Sequence, residues 1–275
     1  MSEMPTTGGK GIYLYCFARA GTVRDISAPG VDGCNGAVVK EAGGVAAVCS
    51  PVLLDDFCGE FAAGNMNDPA WVVPRACRHQ QVIEEVMSRS SVLPVRFGAV
   101  FSSSEALTQL LEEECEEISR FLDWVWDKEE WCLKGFVHAD RAREWLMASD
   151  PGLAEQRAQM PESPGARYFQ QKRLLADARL QSREWVHAVA QQVQAELKES
   201  VLELRPLRLQ QRDLSGKDAE MVWNWALLLR RERVADFRRR AEEIGAGYGE
   251  QGLTLEVSGP WPPYNFCPSF RDEQG

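Results

Sequence analysis

The stretch MVWNWALLLRRERVADFRRRAEEIGAG, residues 221–247, changes its periodicity half-way, and that change decides the fold. Residues 221–231 are bulky, apolar and β-prone, as a well-buried strand requires. From Val234 the apolar positions become Val234, Phe237, Ala241 and Ile244, the threes and fours of one helical stripe, with the arginines turned outward. Gly245 and Gly247 mark the helix exit, and LTLEVSG (253–259) reads as the last strand.

Upstream, LELRPLRL (202–209) is a strand that Pro206 confines to a sheet edge. Before it, Leu175, Ala178, Val186, Val189, Val193 and Leu197 define a long helix. DPGLAEQRAQMPESPGA (150–166) reads as a loop or irregular helical insertion, and EWCLKGFVHA (130–139) as the opening strand. The second half is thus β-α-β-β-α-β, a ferredoxin-like order that places the helices on one face of an antiparallel sheet.

The first half gives a strand at GIYLYCFA (11–18) and a hairpin at AVVKEAGGVAAVCSPV (37–52), turned at Gly43-Gly44. Asp68-Pro69 opens a helix, interrupted near Pro74, whose stripe holds Ala76, Val82, Ile83, Val86 and Met87. LPVRFGAVF (93–101) alternates Leu93, Val95, Phe97, Ala99 and Phe101 against Pro94, Arg96 and Gly98, which predicts one continuous strand. Ser102–Ser104 cap a helix carrying Leu107, Leu110, Leu111, Cys115, Ile118, Phe121, Leu122 and Val125. The expected class is α+β in two domains, 1–128 and 129–258, followed by a proline- and aromatic-rich tail, 259–275.

The 275 residues, 44% hydrophobic and 26% charged, suit a soluble globular chain. No apolar run approaches the roughly 20 residues of a membrane span, and the N-terminus lacks the pattern of an export signal. Cys16, Cys34, Cys49, Cys58, Cys77, Cys115, Cys132 and Cys267 form no C-x-x-C and read as reduced cytosolic thiols. Nothing completes a metal set around Cys77 and His79, so neither metal nor cofactor is expected.

The net charge of −10 is uneven. Residues 105–130 hold ten acidic side chains against Arg120 and Lys128, while 167–240 is basic. Both read as solvated helix faces, EEECEE (112–117) included. GYGEQG (247–252) has the G-x-G-x-x-G spacing, but it follows a helix and precedes a strand, the reverse of a dinucleotide fingerprint. TTGGKG (6–11) lacks P-loop spacing. His138 and Asp140 have no nucleophile elbow beside them. Arg230–Arg240 is the most basic stretch, but an acidic chain of pI about 5.0 does not suit nucleic acid.

LPVRFGAVF (93–101) and GPWPPYNF (259–266) resemble marker segments of the gas vesicle accessory proteins of the F/L family. YLYCF (13–17), EWCLK (130–134), GARYFQQKR (165–173) and WALLL (225–229) support the resemblance in the family's order. Cys16 and Asn265 depart from the glycine and serine of the family pattern. The resemblance implies a non-catalytic assembly component, in the cytoplasm and at the gas vesicle, that contacts the hydrophobic shell protein and other accessory proteins. It implies no cofactor, nucleic acid or membrane. The interaction or structural candidates are Arg96, Phe97, Gly98, Trp131, Trp261, Pro262, Pro263, Tyr264 and Phe266. A clasp formed by packed Trp261, Tyr264 and Phe266 is the expected role of the last segment. The alternatives are a small-molecule enzyme or a nucleic-acid module on the same ferredoxin-like scaffold.

Overall fold

Two antiparallel sheets organise the protein, whose computed structural model describes residues 9–58, 60–210 and 219–268, apart from the side chains of residues 60 and 61. Residues 6–8 of TTGGKG and 269–275 of the tail lie outside the described residues. The chain divides into two compact units, Met1–Asp127 with Pro262–Gly275, and Lys128–Trp261.

The first unit is built on β1 (Lys10–Arg19), β2 (Val38–Ala42), β3 (Val45–Leu53), β4 (Val92–Pro94) and β5 (Val100–Phe101), in the order β2-β3-β1-β4, with β5 also on β1. Gly43 and Gly44 both take positive φ (58° and 82°), the conformation a two-residue hairpin loop demands, and Ala42 faces Val45 across it. Short helices α1 (Leu54–Phe57) and α2 (Glu60–Asn67) lead to α3 (Pro69–Met87), and α4 (Ser104–Val125) follows β5. Asp68 caps α3 by accepting from the Ala70 amide, with Pro69 at the first turn, where its missing N–H costs nothing. The helix runs on through Pro74 instead of breaking there.

Strand β1 is apolar on both faces because both are covered. Tyr13 and Tyr15 pack with Val82, Ile83 and Val86 of α3. Leu14 and Phe17 pack with Leu107, Leu111, Ile118 and Phe121 of α4.

The continuous strand expected over 93–101 is corrected here. Regular pairing with β1 stops at Pro94 and resumes at Val100; Val95 and Ala99 each keep one backbone hydrogen bond to β1, through Tyr15 and Leu14, and residues 96–98 loop out between them. Gly98, at φ 98°, makes the reversal that a Cβ-bearing residue resists. The alternation in the sequence is a coincidence of composition: Phe97 turns inward as a loop residue, not as a strand residue.

The second unit runs β6 (Lys128–Val137), α5 (Ala139–Ser149), α6 (Pro151–Ala158), α7 (Pro164–Leu197), β7 (Val201–Pro206), β8 (Glu220–Arg230), α8 (Val234–Tyr248) and β9 (Leu253–Trp261). Its sheet order is β7-β8-β6-β9, all neighbours antiparallel. Trp131, Leu133, Trp225, Leu227 and Leu229 meet Val189, Val193 and Leu197 of α7 and Phe237, Ala241 and Ile244 of α8. Gly135 lies under Trp223, where a Cβ would approach the indole to 2.2 Å. The interval 150–166 is mostly helical, because Pro151 and Pro164 each sit at the start of a helix and Asp150 caps α6 through the Leu153 amide. Leu146 and Leu153 bury against Leu174 and Ala178 on the first half of α7. GYGEQG ends α8 in a 3-10 turn closed by Gly252 in the left-handed region, so it serves as a helix exit.

Candidate functional site

LPVRFGAVF and the Pro262–Phe266 part of GPWPPYNF meet in the first unit around His79, which the sequence offered, beside Cys77, only as half of an incomplete metal set. Its position in the second half of α3 turns it inward, in line with Val82, Ile83 and Val86. It is 3% exposed. Nε2 lies 3.1 Å from the Val95 carbonyl oxygen and 3.1 Å from the Tyr264 hydroxyl, and Nδ1 lies 2.9 Å from the Tyr13 hydroxyl.

A carbonyl only accepts, so Nε2 carries the proton and Nδ1 accepts from Tyr13. The Tyr13 oxygen accepts in turn from the Gly98 amide at 3.1 Å. The chain Gly98–Tyr13–His79–Val95/Tyr264 therefore ties LPVRFGAVF and GPWPPYNF to α3 with one neutral imidazole. Burial holds the His79 pKa down at about 4, and the Val95 hydrogen bond only partly offsets it. Burial likewise pushes the Tyr13 and Tyr264 hydroxyls up, so all three groups stay neutral across the physiological range. Phe97 closes the cluster with its ring 5.8 Å from the imidazole and 6.3 Å from Phe57.

Pro262, Pro263 and Phe266 are buried, and a 3-10 turn over Tyr264–Phe266 aims the tyrosine at His79. Arg96 stands exposed at the loop apex.

The other two candidates lie in the second unit. Trp131 is buried in its core and donates from Nε1 to Glu129 at 3.0 Å, with the Arg238 guanidinium 5.5 Å from its ring. Gly259, at φ 144°, passes so close that a Cβ would sit 2.9 Å from Trp131, which explains the glycine that opens GPWPPYNF. A bulge carries β9 past Gly259 and Pro260 so that Trp261 faces Glu130, and the ladder ends there, just before Pro262 and Pro263. Trp261 is 41% exposed and donates to Ser258 at 3.2 Å. The packed Trp261 expected of the clasp is therefore corrected: Tyr264, Phe266 and the two prolines pack, and Trp261 does not.

The remaining motifs resolve into surface chemistry. Asp140 is exposed and paired with Arg143, and His138 precedes α5 without a side-chain cap. Arg239 pairs with Asp236 and Glu243, and Arg240 with Glu196 and Glu243. Cys77 is exposed while His79 is buried, so the two do not share a site. Among the described residues no group of three or more His, Cys, Asp or Glu is placed to hold a metal. No helix among them is long and apolar enough to cross a membrane.

The gas vesicle synthesis protein GvpL/GvpF family matches residues 11–268. The chain belongs to that family. It is 27% identical over 232 residues to gas vesicle protein L of a Streptomyces species, covering 82% of this chain and 80% of that one. It is also 27% identical over 284 residues to gas vesicle protein L1 of Halobacterium salinarum, covering 96% and 92%. The crystal structure of GvpF from Anabaena superposes with a TM-score of 0.72 at 19% identity, over 95% of this chain and 99% of that one. The GvpF structure from Microcystis aeruginosa gives 0.66 at 18% identity, over 94% and 99%. These likenesses establish a mixed α/β fold with two antiparallel sheets and a gas vesicle role for this GvpL/GvpF chain.

Proposed function

We propose that this GvpL/GvpF protein is an accessory or minor structural component of gas vesicle assembly, acting in the cytoplasm and at the vesicle by contact with the hydrophobic shell protein and other accessory proteins. The match over residues 11–268 carries this reading. Physical logic supports it: a strongly apolar shell subunit aggregates unless partners cover its strands or apolar face. The chain offers exposed apolar side chains for such contact, among them Trp126 in the first unit and Phe169, at 73% exposure, in the second. The function requires no catalysis. The histidine with the most perturbed surroundings, His79, is sealed within a hydrogen-bonded cluster and serves to hold loops in place.

The β-α-β-β-α-β order with the sheet sequence β7-β8-β6-β9 supports reading the second unit as a ferredoxin-like domain with two added helices in its first crossover. Affinity capture of the tagged full-length chain from vesicle-forming cells tests the function. Co-purification of the shell protein or another gas vesicle protein is expected; a chain that captures none of them under conditions where vesicles form refutes it.

A further inference from the structure

We propose that the outer edge of β9, with the groove between it and α8, docks an extended apolar segment of a partner protein as a fifth strand of the second sheet. The inference rests on the reading that this protein works through protein–protein contacts, and it names the surface and the chemistry of what binds there.

The four sheet edges differ in how they are defended. Sheets discourage unwanted pairing with short edges, charges, prolines and bulges. β7 is bulged between Val201 and Glu203, carries the Glu203–Arg205 ion pair and ends in Pro206. β2 has five residues, two of them Lys40 and Glu41. The β4–β5 edge is interrupted by the 96–98 loop. β9 is nine residues long and holds a single charge, Glu256. Its residues Leu253–Ser258 pair in unbroken register with β6, with the bulge and Pro260 lying beyond them. Among the described residues no strand pairs with its outer side.

Beside this edge lies a groove of about 520 Å³. Its helix wall presents the small residues Ala241, Gly245 and Ala246, and its strand wall Thr254, Leu255 and Val257. Gly245 is not needed there for clearance, since a Cβ would meet Leu255 only at an ordinary 3.5 Å. The groove falls within the ordinary size range of ligand sites. A strand laid along β9 would satisfy its outward amides and carbonyls and direct every second side chain into the groove, where small residues leave room for large ones.

Charge narrows the occupant. The rim carries one cation and one anion, Arg238 and Glu242, so it offers no net attraction to a strongly charged segment. A second copy is a poor occupant: a symmetric β9–β9 pair brings Glu256 towards its own equivalent. It also spends Leu255 and Val257 on their own walls and leaves the groove unfilled.

The test uses the full-length chain and a fluorescein-labelled peptide of alternating valine and threonine with two N-terminal lysines. Saturable binding by anisotropy is expected, together with slowed amide exchange confined to residues 254–258. N-methylation of alternate peptide amides should abolish binding. Ala246→Glu, at an exposed helix position, and Gly245→Leu should each weaken binding at least about tenfold without lowering the melting temperature. No binding at about 1 mM peptide, protection on another edge, self-association through β9, or unchanged affinity in both variants overturns the proposal. The peptide assay contains no gas vesicle protein, so failure of the assembly role registers separately, as absent co-purification by the unaltered chain. Co-purification undiminished in both variants would sink the docking edge while leaving that role standing.

Discussion

Replacing His79 by Gln should remove an acid sensitivity that the fold builds into its first unit. The imidazole is closed to solvent and accepts at Nδ1 from Tyr13. A second proton has no solvent to hold it and no acceptor to face. The folded-state pKa is accordingly about 4, against 6.5 for an unperturbed histidine. A base whose pKa falls on folding lends stability that is complete above the unfolded value and drains away as pH drops towards the folded one. Integrating between these two values gives a loss of about 2.5 kcal/mol on going from about pH 7 to about pH 4.5. Glutamine keeps a donor for Val95 and an acceptor for Tyr13 but does not titrate, so the variant should lack that loss whatever its cost at neutral pH. Urea unfolding of both proteins across this range, followed by exchange of the β1 amides, isolates the first unit. The two stability curves should converge on acidification by about 2.5 kcal/mol. Parallel curves would refute the buried neutral imidazole.

Gly259→Ala should destabilise the second unit by about 2–3 kcal/mol, since φ is 144° and the new Cβ would meet Trp131 at 2.9 Å; an unchanged melting temperature would show that the backbone relaxes freely. Phe266→Ala should cost about 3–4 kcal/mol in thermal or urea unfolding, whereas Trp261→Ala should cost under about 1 kcal/mol. The reverse ranking would restore Trp261 as the packing residue of the segment. Asp68→Ala should cost about 1 kcal/mol by uncapping α3, read as a lower melting temperature that Asp68→Ser restores; no change would mean the Ala70 amide finds another acceptor.

Elements with long, unambiguous periodicity were legible from the residues: β1, the Gly43-Gly44 hairpin, α4, α7, β8 and α8 all occur where their patterns point. Ambiguity or misreading came where one residue type serves two purposes, and of the two readings open for residues 150–166 the helical one holds. Prolines at 151 and 164 punctuate a sequence as loop signals, yet in place they start helices. Residues 93–101 carry a period of two that a strand would have, and only the Gly98 reversal and the Tyr13 hydroxyl that receives its amide break it. The His79 cluster was hidden for another reason. Its partners Tyr13, Val95 and Tyr264 come from three distant parts of the chain, and Tyr264 lies 185 residues from His79. No local pattern encodes such a meeting; the one available signal was a histidine on the apolar stripe of α3. GPWPPYNF, by contrast, announced its importance through composition, although composition does not distinguish the buried Phe266 from the exposed Trp261.

Gas vesicle assembly itself is the most direct measure of what this protein does. Deleting its gene in a vesicle-forming host and counting vesicles by electron microscopy should show them lost or sharply reduced, with recovery when the full-length chain is supplied in trans. Vesicles normal in number and shape without it, and no complex with any gas vesicle protein, would contradict the assembly role.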